Sequence, residues 1–315
     1  MTRALIVGSE GQDGRLLFDQ LAGEGVAVLG LGKGSARSTE GDRNSAIDIA
    51  CRPQVEHLVN NWAPQEVYYV AAVHQASEDA TPPDAIDLFE RSHDVHVAGL
   101  LHFLEAMSER EGGALFYAAS SLIFGLPAES PQDESTPFRP RDIYGITKTA
   151  GAHACRYYRD NRGVNASVGI LFNHESPLRG HKFVSQKIVR GAVAIARGVR
   201  SPLTLGNLSA KIDWGYAPDY VRAMTLIARN ETPNDYVIAT GETHTVQEFA
   251  EIAYRRLGLD WREHVVEDGS VLTRESSIRV GNASRLRERT GWRPSVSFPE
   301  MVELLVDAAA KEHAS

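Results

Sequence analysis

Cysteine is scarce. Cys51 and Cys155 are the two in 315 residues, and their number and spacing fit neither a disulfide framework nor a metal site. Idle thiols in a reducing compartment are the expectation. Long apolar runs are missing too, and no stretch approaches the roughly 20 residues needed to span a bilayer as a helix. There is no excess of positive charge: the formal net charge is -8, which argues against nucleic acid or a membrane surface as a partner. The chain enters an apolar segment at once and meets a glycine-rich turn where the apolar stretch of a leader would have to continue. A cytoplasmic location is therefore expected. No internal repeat or low-complexity tract is visible.

What remains is an ordinary globular composition, with 43% hydrophobic and 23% charged residues, in a chain long enough for one large domain and a smaller lobe. Short apolar runs at 4–8, 26–32, 66–72, 114–120, 165–173 and 235–241 read as buried strands. Helical patterns lie between and after them, notably at 84–108, 144–162, 245–257 and 298–311. Stretches rich in glycine, proline, serine and charge at 33–45, 125–141 and 174–182 read as loops. Strand–helix alternation of this kind predicts an α/β fold: a doubly wound parallel-sheet Rossmann domain with a smaller α/β substrate-binding lobe. The expected boundaries are 1–173 plus about 213–242 for the coenzyme domain, and about 174–212 plus 243–315 for the lobe.

The first strand runs into Gly8-Ser9-Glu10-Gly11-Gln12-Asp13-Gly14. Glycines at this spacing between a strand and a helix let the backbone turn sharply. They also let a pyrophosphate approach the free N–H groups of the helix N-terminus. Gly8, Gly11, Gln12, Asp13 and Gly14 are thus expected to hold a dinucleotide. An NAD site usually places an acid at the end of the second strand. The run Leu31-Gly32-Lys33-Gly34-Ser35-Ala36-Arg37 holds none. Lys33, Ser35 and Arg37 suit a 2′-phosphate, which makes NADP the expected coenzyme, with NAD the alternative. Asp48, placed at the end of an expected third strand, would hold the adenine amine.

Ser120 and Ser121 end the fifth run, and Tyr144-Gly145-Ile146-Thr147-Lys148 follows on a helix. The Y-x-x-x-K spacing puts both side chains on one face, one turn apart. A phenol near pKa 10 is a poor base at neutral pH. A neighbouring ammonium stabilises the phenolate and lowers that value. Tyr144 can then exchange a proton with a sugar hydroxyl while Ser120 hydrogen-bonds the reacting oxygen and Lys148 supports the phenolate. Tyr144 and Lys148 would also border the coenzyme.

This constellation resembles the extended short-chain dehydrogenase/reductase superfamily. The Gly-Gln-Asp-Gly ending and the string Asn173-His174-Glu175-Ser176-Pro177 are similar to the GDP-mannose 4,6-dehydratase family. Leu205-Gly206-Asn207-Leu208-Ser209-Ala210-Lys211, Asp213-Trp214-Gly215 and Gly291-Trp292-Arg293-Pro294 extend the likeness. The resemblance implies that Ser120 stands where the family has a threonine. It also implies that Asn173, Lys187, Arg190 and Arg274 serve the nucleotide-diphosphate end of the substrate.

The chain departs from that family in two places. Ser120-Ser121-Leu122 stands where the family has Thr-Ser-Glu, whose glutamate removes water across carbons 5 and 6, and leucine cannot transfer a proton. Ile212 stands where the family has an arginine for the diphosphate. His74, just beyond the fourth run, is a candidate replacement acid facing the sugar, with a structural or polar loop histidine the favoured alternative. The expectation is an NADP-dependent oxidoreductase acting at carbon 4 of a nucleotide-activated, GDP-linked hexose or 4-keto-6-deoxyhexose, as a 4-keto reductase or 4-epimerase. A true 4,6-dehydratase and a non-catalytic coenzyme-binding sensor are the alternatives. A homodimer through the helices at 84–108 and 144–162 is expected.

Overall fold

The computed structural model describes residues 2–41, 47–73, 84–271 and 278–312. The chain opens with β1 (Arg3–Val7), α1 (Gln12–Gly23), β2 (Ala27–Leu31) and β3 (Ala36–Ser38), then α2 (Arg52–Trp62) and β4 (Glu66–Tyr69). Next come α3 (Ala85–His93), a π-helical turn over Asp94–Ala98, and α4 (Gly99–Ser108). They are followed by β5 (Ala114–Ser120), α5 (Ile143–Arg162) and β6 (Asn165–Leu171). The rest is β7 (Asn173–Glu175), α6 (Val184–Ala196), β8 (Leu203–Leu205), β9 (Lys211–Ile212), β10 (Trp214–Tyr216), α7 (Ala217–Ala228) and β11 (Asp235–Ile238). The chain ends with β12 (His244–Thr245), α8 (Val246–Arg256), β13 (Val265–Glu267), α9 (Ser284–Thr290) and α10 (Phe298–Glu312).

Seven strands form one sheet in the order β11-β6-β5-β4-β1-β2-β3. Every pairing in it is parallel except β2 with β3. Successive side chains of a strand point to opposite faces, and here both faces are buried. Leu5 and Val7 join Val55, Val59, Leu100 and Phe103 on one side. Ala4 and Ile6 join Leu17, Leu21, Met224 and Ile227 on the other. That is why the strands read as unbroken apolar runs. A third core, around Ile188, Trp214, Phe249, Tyr254 and Leu305, belongs to the smaller lobe.

Three expectations are corrected. The segment 33–45 is not all loop, because residues 36–38 form an antiparallel edge strand on β2. No strand ends at Asp48: its carboxylate accepts the Ala50 N–H at 2.9 Å in an exposed turn leading into α2. The boundary at 243 also gave too much to the lobe. Ala283, Leu286 and Trp292 bury against the larger core beside α7.

Candidate active site

The carboxyl ends of β1, β4 and β5, parallel neighbours in the sheet, lie along one edge. Leu31 at the end of β2 accepts the backbone N–H of both Gly8 and Ser9 at 2.9 Å, so the glycine turn is anchored to that strand end. Gly8 has φ +98°, and a Cβ there would lie 2.6 Å from the backbone of Ala71. A Cβ on Gly14 would strike the Gly8 carbonyl and lie 2.6 Å from the Ser9 Cα. Protein packing therefore accounts for both of these glycines. Gly11 differs: a Cβ on it would meet nothing nearer than the Gly8 oxygen at 3.5 Å, and no side chain caps the helix it begins. The missing side chain leaves an open cradle at a helix N-terminus, which fits a pyrophosphate.

Gln12 and Asp13 point elsewhere than the sequence suggests. Gln12 Nε2 donates to the His174 carbonyl at 3.2 Å, and Ser176 Oγ donates to Gln12 Oε1 at 2.8 Å. His174 Nε2 lies 3.0 Å from Asp13 Oδ1, and its Nδ1 lies 2.7 Å from the Phe172 carbonyl oxygen. Both ring nitrogens face acceptors, so the ring is held as the imidazolium. Burial opposes the charge, but the Asp13 carboxylate outweighs it and raises the His174 pKa. Burial likewise opposes ionisation of Asp13, yet His174 holds that carboxyl well below the usual range. The imidazolium cancels a carboxylate that would otherwise sit beside an anion site. These four residues fasten the glycine turn to β7, where the lobe begins.

Lys148 is 1% exposed. Its Nζ donates to the Ala118 carbonyl at 2.8 Å and to the Ala71 carbonyl at 3.4 Å. It also stands 4.9 Å from the Tyr117 ring centre and 5.8 Å from that of Tyr144. Burial pushes the ammonium down to about 7, with Asp13 opposing. Ser120 ends β5, two residues beyond Ala118, and its Oγ accepts the Leu122 N–H at 3.3 Å. Gly151 lets α5 lie this close to the sheet, since a Cβ there would lie 2.5 Å from the Tyr117 ring and 2.7 Å from the His96 carbonyl oxygen.

His96, in the π-helical turn, was not singled out from sequence. It is fully buried. Its Nε2 accepts the Val73 N–H at 2.9 Å, which leaves the ring proton on Nδ1 for Thr147 Oγ1 at 2.8 Å. The threonine hydroxyl passes its own proton to the Ile143 carbonyl at 2.9 Å. The ring edge meets Tyr144 at 5.3 Å between centroids. His96 thus ties the segment after β4 to the first turn of the helix that carries Tyr144. A π-turn is the local signal, and such turns are not readable from apolar periodicity.

The expected substrate residues are spread out. Asn173 is exposed at the start of β7, and Lys187 is half-buried on α6. Arg190 is directed at the end of α10, where its Nη2 meets Glu312 Oε2 at 3.0 Å. His74 and Arg274 lie outside the described residues. Arg279, half-buried, bridges to Ile212 and donates to the Gly125 carbonyl at 3.3 Å. Among the described residues no group of three His, Cys, Asp or Glu would hold a metal, and no helix is long and apolar enough to cross a membrane.

A mainly parallel sheet with a glycine turn after β1, and a Tyr–Lys pair on the helix beside the end of β5, defines an extended short-chain dehydrogenase/reductase. The sequence profile described as GDP-mannose 4,6 dehydratase matches residues 5–305. "GDP-mannose 4,6 dehydratase 1" of Arabidopsis thaliana is 37% identical over 327 residues, which cover 96% of this chain and 88% of the relative. The Homo sapiens GDP-mannose 4,6 dehydratase is 33% identical over 342 residues, covering 97% and 90%. The chain belongs to the GDP-mannose 4,6 dehydratase family.

Solved structures share the fold. RMD from Pseudomonas aeruginosa, complexed with NADPH, aligns with a TM-score of 0.84 at 20% identity, covering 99% of this chain and all of the other. Thermus thermophilus UDP-glucose 4-epimerase, complexed with NAD, aligns at 0.80 with 23% identity, covering 98% and 99%.

Proposed function

We propose that this protein is an NAD(P)-dependent oxidoreductase acting at carbon 4 of a GDP-linked hexose or 4-keto-6-deoxyhexose, as a 4-keto reductase or a 4-epimerase. The observation that supports the reading is Lys148 held 5.8 Å from the Tyr144 ring on the carbonyl of Ala118, two residues before Ser120 in the chain, with leucine and not an acid at position 122. The Gly8–Gly14 turn would hold the pyrophosphate of a nicotinamide dinucleotide, which when bound gives or takes a hydride. The chain's own residues handle the proton. Tyr144 exchanges it with the oxygen on carbon 4, and Ser120 holds that oxygen by a hydrogen bond. Lys148, fixed by the Ala118 and Ala71 carbonyls, stabilises the phenolate.

Elimination of water across carbons 5 and 6 needs a second proton carrier. Leu122 is half-buried in the 3-10 turn after Ser120 and has none to offer. A 4,6-dehydratase remains the second reading, favoured by the names of the relatives. Incubation with GDP-mannose separates the two. The proposal expects no loss of water by mass, and then coenzyme oxidation when a 4-keto-6-deoxy sugar nucleotide is offered with NADPH or NADH. Conversion of GDP-mannose to a product lighter by one water would overturn it.

The same helices support a homodimer. Ile86 and Phe89 on α3 are 67% and 42% exposed, and Ile146 and Tyr157 on α5 are 44% and 54% exposed. Each pair lies along one helix face, and a second copy of the same apolar face is the occupant that would cover it. Sedimentation of the protein and of Phe89→Glu tests this: a dimer is expected for the former and a monomer for the latter.

A further inference from the structure

One side of the Lys148 ammonium meets an aromatic face instead of an acceptor atom. The carbonyls of Ala118 and Ala71 take hydrogen bonds from Nζ, and the centre of the Tyr117 ring lies 4.9 Å from it. Among the described residues no carboxylate forms an ion pair with this amine. Tyr117 stands on β5 directly before Ala118 and is fully buried. Its ring is held in place from three directions. The hydroxyl donates to the His96 carbonyl at 3.3 Å, and the Tyr69 ring packs at 6.1 Å between centroids. Gly151, on the same helix as Lys148, leaves the room that the ring fills. Burial pushes the Tyr117 phenol up, so the ring stays uncharged beside the amine.

We propose that Tyr117 is a positioning residue for the proton transfer, its ring face holding the Lys148 ammonium in place and in its charged form. The proposal rests on the oxidoreductase reading given above. The face of an aromatic ring carries the negative part of its quadrupole and attracts a cation, most strongly where water is excluded. Burial works against the charge on Lys148, and two neutral carbonyls oppose it only in part. The ionisable groups that act on the amine are Asp13 at the start of α1, Cys155 on α5 and the Tyr144 ring. Asp13 is engaged by His174, and burial keeps the Cys155 thiol protonated. The Tyr117 face is the one contact that favours the ammonium and is spent on nothing else along β5.

The test reads the lysine itself. In coenzyme-free protein the carbon-13 resonance of the Lys148 Cε, assigned by its loss in Lys148→Met, is titrated with pH. The unmodified protein is compared with Tyr117→Phe and with protein carrying a trifluorinated phenylalanine at position 117. Fluorination keeps the outline of the ring and removes the negative charge of its face, and melting curves show that each form is folded. A midpoint of about 7 is expected for the unmodified protein. Tyr117→Phe, which keeps the face and loses only the hydroxyl, should hold that midpoint. The fluorinated ring should lower it by about one unit. At pH 7 that leaves roughly fivefold less ammonium, and kcat for coenzyme oxidation with a 4-keto-6-deoxy sugar nucleotide should fall by a similar factor. A midpoint that ignores fluorination, or one that moves without a fall in kcat, overturns the role of Tyr117. Absence of turnover by the unmodified protein overturns the oxidoreductase reading instead, and the midpoints then decide the contact on their own.

Discussion

His174 and Asp13 meet at 3.0 Å, although they lie on different parts of the fold, one at the start of the lobe and the other in the coenzyme turn. Stacking of the imidazole on Tyr220, 4.6 Å between centroids, fixes its plane from behind. The pair ties the start of α1 to β7.

Removing one partner of this buried pair leaves the other uncompensated. Asp13→Asn is expected to cost about 3 kcal/mol of stability and to weaken coenzyme binding, read by denaturant titration and nicotinamide fluorescence. The pH window follows from the directions of the two shifts. The His174 pKa is raised, so its contribution is complete below about pH 6.5 and is lost as pH rises through the raised value. The Asp13 pKa is depressed, so its contribution persists through mild acid and is lost only as pH falls through the depressed value. An NMR titration of the His174 ring should show the imidazolium above pH 6.5. An ordinary or lowered midpoint would remove the electrostatic account of this contact.

Much of this arrangement was legible in the sequence, for identifiable reasons. The parallel strands are buried on both faces, so they read as apolar runs, and 114–120 coincides with β5. The Tyr144–Lys148 spacing needs only a helix to bring both to one face, and α5 spans them. What failed were features decided by long-range contact. Glu10 meets the Lys33 N–H and the Ser35 hydroxyl because the glycine turn folds back onto Leu31, and Arg37 lies on the Phe18 ring. Asp48 was placed at a strand end by analogy with alternation elsewhere, whereas the chain turns there into α2. Arg190 finds Glu312 across the lobe, a pairing between two helices that no local pattern encodes.

Lys148 carries its amine into a destabilising burial. Its folded pKa is lowered to about 7, against about 10.4 for the unfolded chain. Between those values the unfolded state holds a proton that the folded state lacks, so this group makes stability rise with pH, by up to about 1.4 kcal/mol per unit. Lys148→Met removes that dependence. In coenzyme-free protein the stability of the lysine form should gain on the methionine form as pH rises from 7 toward 10, measured by urea unfolding at each pH. A constant difference would mean that the ammonium is not desolvated. Tyr144→Phe should leave coenzyme binding intact while lowering turnover about 10²–10⁴-fold.

His96, whose ring edge meets Tyr144 at 5.3 Å, is expected to act on turnover by positioning that tyrosine. Replacing it by leucine leaves the Val73 N–H and the Thr147 hydroxyl without their ring partner, each at about 1–3 kcal/mol. Lower stability alone would follow from any structural role. Positioning predicts more: kcat falls with little change in KM, and His96→Gln, which keeps one acceptor and one donor, restores part of kcat. If kcat per folded molecule is unchanged in His96→Leu, the residue merely fills space.

Position 122 offers the sharpest separation between reduction and elimination. Leu122 lies two residues after Ser120 in the 3-10 turn, with its backbone N–H on the Ser120 hydroxyl, so a side chain there is carried on the same corner as that serine. Leu122→Glu places a carboxyl group at that corner. A positioned acid/base is worth about 10²–10⁴ in rate, so loss of water from GDP-mannose should rise by a factor in that range above the background of the unmodified protein, followed by mass spectrometry. Coenzyme oxidation with a 4-keto sugar nucleotide should fall less, because Ser120, Tyr144 and Lys148 are untouched. If elimination stays at background while the 4-keto activity survives, the missing proton carrier is not what separates this chain from a dehydratase, and the cause must lie in how the sugar is seated.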